Sequence, residues 1–109
     1  MITAGIVCEY NPFHNGHRYH IEKTRESANA CICVMSGNFT QRGRPAIADK
    51  FTRARCAVSG GADLVLELPA VFAVRSAETF ARGAIGLLDA LGCVDLLSFG
   101  CECGSLSAL

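Results

Sequence analysis

Four short apolar runs, at residues 2–8, 30–35, 62–68 and 94–99, alternate along the chain with segments of helical spacing. A strand that is apolar along its whole length must be covered on both faces. That situation arises in parallel sheets whose crossover helices pack on the two sides. The intervening segments read as helices over 17–28, 48–59 and 76–91. The second stops at Gly60 and Gly61, and the third has Ser76 as N-cap and Gly92 as its stop. Asn11, Pro12, Asn15 and Gly16 form a turn-rich loop after the first strand, and Pro69 closes the third. The expected architecture is α/β, a doubly wound parallel sheet with right-handed crossovers and ligands beyond the carboxyl ends of the strands.

Gly100, Cys101, Glu102, Cys103 and Gly104 read as a loop, and 105–109 as more loop or the first turn of another helix. A fourth strand without a covering helix leaves an apolar face to water. The expectation is therefore one domain over 1–109, incomplete at its C-terminus and the truncated front portion of a longer chain.

With 109 residues, 50% hydrophobic and 18% charged, the chain suits one core and not a disordered tail. Ten Lys and Arg cancel ten Asp and Glu, so any polyanion must be met by a local site. No run approaches the ~18–20 apolar residues of a membrane span. Residues 1–10 lack the basic start of a signal peptide, so the expected location is cytoplasmic. The seven cysteines are odd in number, and Cys8, Cys31, Cys33, Cys56 and Cys93 lie in apolar segments, which favours reduced thiols. Cys31 with Cys33 and Cys101 with Cys103 make two Cys-x-Cys pairs. A four-thiolate zinc site is one reading, core packing the other.

The segment from Glu9 to His17 carries the sharpest chemistry. It follows the first strand and opens the first helix, so His14 and His17 fall where a helix N-terminus favours a phosphate. Imidazoles there can donate hydrogen bonds to a phosphoryl group as its charge grows. A Cβ at Gly16 would hinder close approach of backbone or nucleotide. The alternatives are ordinary loop histidines, or a metal pair with His20, for which no further ligand lies near in sequence. After the second strand, Ser36 to Arg44 is a polar loop with Gln41, Arg42 and Arg44 available to an anion. Arg42 could hold a carboxylate bidentately or be a solvated loop residue. Lys50, Arg53 and Arg55 either steer phosphates or decorate a helix surface. Asp63 and Glu67 are either catalytic or bonded to backbone or Arg75.

Strand, Asn-Pro-Phe-His-x-Gly-His and helix together resemble the nucleotidyltransferase superfamily that shares its histidine signature with class I aminoacyl-tRNA synthetases. Val34 to Ala46 (VMSGNFTQRGRPA), Lys50, Arg53, Gly61 to Pro69 (GADLVLELP) and Phe99-Gly100 are similar, more narrowly, to the N-terminal domain of the tRNA(Met) cytidine acetate ligase family. The likeness runs over essentially all 109 residues, and members of that family are much longer.

The resemblance implies a Rossmann-like fold of nucleotidyltransferase type. It also implies ATP-dependent formation of acetyl-adenylate and transfer of the acetyl group to N4 of the wobble cytidine of elongator tRNA(Met). ATP would lie along Val7, Cys8, Glu9, Tyr10, Asn11, Pro12, Phe13, His14, Asn15, Gly16, His17 and His20, with Gly100 near the adenosine. His14 and His17 would act on the phosphates, and Ser36, Gly37, Gln41 and Arg42 would hold acetate. Mg2+ is expected to bridge the phosphates, with no protein metal site assigned. Where the family usually reads Phe-Gly-Ser-Glu, this chain has Cys101, a weaker hydrogen-bonding group. The expected partners are ATP, acetate and, weakly for this chain alone, tRNA(Met). No membrane is expected, and homo-oligomerisation is left open. Two other functions fit the residues: an adenylyltransferase acting on a phosphorylated small molecule, or a non-catalytic nucleotide- or tRNA-binding remnant.

Overall fold

Strand β1 (Thr3–Cys8) lies inside the sheet with neighbours on both sides, and the order is β3-β2-β1-β4-β5. The structure is a computed structural model that describes residues 1–10, 13–37, 46, 48–69, 77–98 and 106–108. The other elements are α1 (Asn15–Arg25), β2 (Ala30–Ser36), α2 (Lys50–Ser59), β3 (Leu64–Leu68), α3 (Ala77–Leu91), β4 (Leu96–Ser98) and β5 (Leu106–Ala108). β1 pairs in parallel with β2 and β4, and β2 pairs in parallel with β3.

The uninterrupted apolar runs are explained by two cores, one on each face, since alternate side chains of a strand point opposite ways. Ile6, Cys31, Cys33 and Met35 meet Ile21 of α1 and Ala57 of α2 on one side. Ile32, Val34, Leu68 and Leu97 meet Phe80, Ala84 and Leu88 of α3 on the other. Phe80, Ala84 and Leu88 recur every fourth residue, the spacing of one helix face. Burying a Leu or Phe side chain stabilises by about 1.5–3 kcal/mol, so these contacts dominate the packing of α3. Gly5 lets α3 approach β1: a Cβ there would lie 2.8 Å from Leu88 Cδ1. No helix among the described residues is long and apolar enough to cross a membrane.

Three sequence expectations change. Helix α1 starts at Asn15, two residues before the expected start, because His14 caps it, and it ends at Arg25. The third and fourth strands are shorter than their apolar runs. The tail is neither loop nor helical turn at 106–108: it forms β5, antiparallel to β4, with Leu97 opposite Ser107. β4 is therefore flanked by β1 and β5 and is no edge. Ser76, expected as a cap, and Arg75 lie outside the described residues.

Strand order reverses between β1 and β4, since β1 leads outward through β2 to β3 while α3 returns the chain to the other side. In doubly wound sheets that reversal opens a crevice at the carboxyl ends of the strands. The end of β1 and the start of α1 lie there.

Candidate functional site

Tyr10 turns the chain out of the sheet. It is the only non-glycine among the described residues with positive φ, at 50°, a region that costs a bulky side chain energy unless its surroundings hold it. Its ring is buried, its hydroxyl lies 3.5 Å from Cys33 Sγ, and the ring makes a T-shaped contact with Phe13 and a tilted one with His17, each at 4.8 Å between centroids. Burial pushes the Tyr10 phenol and the Cys8 thiol up. Hydrogen bonds from Cys31 and Cys8 pull the Cys33 sulfur down.

Beyond the turn, the two histidines cap α1 reciprocally. His14 Nδ1 accepts from the Gly16 N–H at 3.0 Å, and the His14 N–H donates to His17 Nδ1 at 3.2 Å. Histidine thus takes both roles of a capping box, satisfying two donors that a helix start leaves open. The rings stack at 3.7 Å between centroids and 22° between planes. Because each Nδ1 accepts, each neutral ring carries its proton on Nε2. Two N–H donors are therefore presented together at the positive end of a helix. Burial, then His14 and His20, hold the His17 pKa below the ordinary value, which favours this neutral form.

His20, one turn on, is tied differently. Thr24 donates its only hydroxyl proton to the His20 carbonyl at 2.8 Å, so Ser98 must donate to Thr24 across 2.5 Å. Ser98 then accepts from His20 Nε2–H at 2.8 Å. The His20 ring locks α1 to the end of β4, and burial lowers its pKa.

The remaining expected nucleotide residues fall around this corner. Val7 packs toward α3, while Cys8 lies on the opposite face and donates to the Val34 carbonyl at 3.5 Å. The Phe13 ring covers Gly60, where a Cβ would lie 2.8 Å from Phe13 Cζ. Asn15 and Gly16 are exposed in the first turn of α1. Asn11, Pro12 and Gly100 lie outside the described residues, as do Gln41, Arg42 and Arg44. Ser36 ends β2 beside this corner, and Gly37 follows it. Ser36 is fully buried, and its Oγ has no hydrogen-bond partner among the described residues.

Arg53 was read from sequence as a phosphate-steering or surface charge and is neither. It is 1% exposed. Its Nε donates to the Ala48 carbonyl at 2.9 Å, and Nη1 donates to Glu9 and Ser36 carbonyls at 2.7 and 3.1 Å. Nη2 donates to the Gly37 carbonyl. No local pattern announces this: the acceptors come from three separate stretches, and only the burial of Arg53 with Ala57 at helical spacing hints at it.

Asp63 is bonded to backbone, as one of the two readings has it, while the ion-pair partners of both carboxylates are basic residues other than the expected Arg75, which lies outside the described residues. Asp63 precedes β3 and accepts from the Cys31 N–H at 2.8 Å and from Arg25 at 2.6 Å. These bonds, the backbone one first, hold its carboxyl below the usual range. Glu67 pairs with Lys50 at 2.8 Å. Cys31 and Cys33 are buried in the core, and Cys101 and Cys103 lie outside the described residues. Among the described residues no cluster of three or more His, Cys, Asp or Glu could hold a metal ion.

The sequence profile of the HIGH nucleotidyl transferase family matches residues 1–109. A tRNA(Met) cytidine acetate ligase of Anoxybacillus flavithermus is 59% identical over 108 residues, covering 97% of this chain and 27% of that protein. A protein of the same name from Clostridium botulinum is 52% identical over 111 residues, with 100% and 27% covered. Among solved structures, Thermotoga maritima TmcAL bound with alpha-thio ATP superposes with a TM-score of 0.85 at 55% identity, covering 89% of this chain and 24% of that one. The chain thus spans about a quarter of the length of these relatives.

Proposed function

The chain belongs to the HIGH nucleotidyl transferase family, and on that premise we propose that it is the ATP-binding part of a tRNA(Met) cytidine acetate ligase. The observation that carries this is the pair of Nε2–H donors that His14 and His17 present at the start of α1. The alpha-thio ATP bound to the Thermotoga maritima neighbour supports the choice of nucleotide.

In this reading the triphosphate lies over the helix start, and the stretch from Val7 to His17 wraps it. His20 braces the wall through Ser98, and Gly100 lies near the adenosine. Acetate oxygen attacks the α-phosphorus, the bond to the bridging oxygen breaks, and pyrophosphate leaves with the electron pair. The imidazole donors oppose the charge that grows on the phosphates. The N4 amine of the wobble cytidine of elongator tRNA(Met) then attacks the acyl carbon, and AMP departs.

The acetate subsite is assigned to Ser36 and Gly37 with Gln41 and Arg42. The buried Ser36 hydroxyl, which has no partner among the described residues, supports this, since such a group is costly unless something answers it. When bound, Mg2+ would neutralise phosphate charge. The described residues suit an ion carried with the nucleotide rather than a protein cage. The cytoplasm is the proposed location, and tRNA is expected to need portions of the protein beyond this chain.

Titration calorimetry with ATP tests the reading. Saturable single-site binding that weakens at least tenfold in His14→Ala and His17→Ala is the expected result. A protein that is folded and binds no adenine nucleotide refutes it.

A further inference from the structure

We propose that Arg53 is a positioning residue for the nucleotide site, acting through the turn at Tyr10 on His17. The inference rests on the nucleotide reading above for its consequence, but not for its geometry.

A guanidinium has five N–H donors in a planar fork, and Arg53 commits four hydrogen bonds to backbone carbonyls. Ala48 belongs to the entry of α2. Of the other three acceptors, Ser36 ends β2, and Glu9 and Gly37 are the first residues after β1 and β2. One buried side chain therefore fixes the tips of two adjacent strands at the edge where ligands of this architecture bind. Ordinary core packing would hold α2 to the sheet without touching these carbonyls.

The path to the histidines is short. Glu9 immediately precedes Tyr10, whose positive φ must be imposed by its neighbours. The Arg53 bond to the Glu9 carbonyl holds one side of that turn, and the contact of the Tyr10 hydroxyl with Cys33 holds the other. Released from Arg53, the turn relaxes, and the Tyr10 ring no longer covers one side of His17. Burial is the first cause of the lowered His17 pKa, and the Tyr10 ring supplies part of that burial beside Phe13 and His14, so withdrawing Tyr10 should raise it. The same fork links the nucleotide loop to the Ser36–Gly37 end, so both substrate loops share one anchor.

The test measures the His17 pKa by NMR titration, and ATP affinity by calorimetry, in wild type, Arg53→Lys and Arg53→Gln. Leu88→Ala, which loosens the opposite core, serves as a stability control. A lysine keeps the charge but cannot span the four carbonyls. The expected result is a His17 pKa that rises toward its ordinary value in both Arg53 variants, with ATP at least tenfold weaker. The control should move neither. A folded Arg53 variant with the wild-type His17 titration overturns the proposal, and so does an equal shift in Leu88→Ala. If the Gln variant does not fold, the Lys variant decides. The His17 arm needs no nucleotide, so absence of ATP binding in the wild type refutes the nucleotide reading and leaves Arg53 to be decided by the titration.

Discussion

Gly16 leaves no room beside the ring of His14: a Cβ on Gly16 would lie 2.8 Å from His14 Cε1 and 3.1 Å from Nδ1. The glycine is thus required by the capping histidine itself, before any nucleotide arrives. Gly16→Ala should push the His14 ring off the Gly16 N–H, costing about 1 kcal/mol as a lost N-cap. Chemical unfolding reads that cost. ATP binding should weaken at least tenfold, because the stacked pair no longer presents its two donors together.

The cap and the phosphate contact can be separated at His14. Asn is a good N-cap, so His14→Asn should restore the helix start that His14→Ala loses, a difference of about 1 kcal/mol in unfolding free energy. Neither variant carries the Nε2–H donor, so ATP affinity should fall alike in both. If His14→Asn bound ATP as tightly as wild type, His14 would be a capping residue alone.

What was legible in the sequence follows from what each residue's neighbours in the chain could report. The strands were visible because burial on both faces makes them apolar at every position, as in Cys31 to Met35. The start of α1 was misplaced because Asn15-Gly16 reads as a turn and histidine is an unusual cap. Only the ring geometry of His14 and His17 reveals the reciprocal bonds. Arg53 was misread because its acceptors are carbonyls, which leave no trace in residue types. The strand at 106–108 depends on antiparallel pairing with the preceding strand β4, which a three-residue polar-apolar mixture does not encode.

Stability should decline on mild acidification. The folded pKa values of His17 and His20 lie below the unfolded value of about 6.5, so the unfolded chain binds protons first as pH falls. Stability is therefore full above about 6.5 and is lost progressively as pH drops from there through the lowered folded values. A second loss follows near and below about 3.9, where the unfolded chain's Asp residues protonate before Asp63, whose folded pKa is lowered. Urea midpoints from pH 8 to 3 check both windows. His20→Gln should flatten part of the first by removing one of its two titrating rings.

The pH dependence of ATP binding distinguishes neutral from charged histidines. Each Nδ1 of the His14–His17 pair already accepts a backbone N–H, so protonating either ring would break a cap bond, and protonating both would set two stacked cations 3.7 Å apart. In the proposed site it is then the neutral Nε2–H donors that would meet the phosphates. ATP affinity should stay within about twofold between pH 7 and 8.5, because His17, held below the ordinary value of about 6.5, stays neutral over that range. If imidazolium were required instead, affinity would fall about tenfold per pH unit over that range. Calorimetry at constant ionic strength decides between them, and a steep decline above pH 7 would show that the cap geometry is not the one that meets the phosphates.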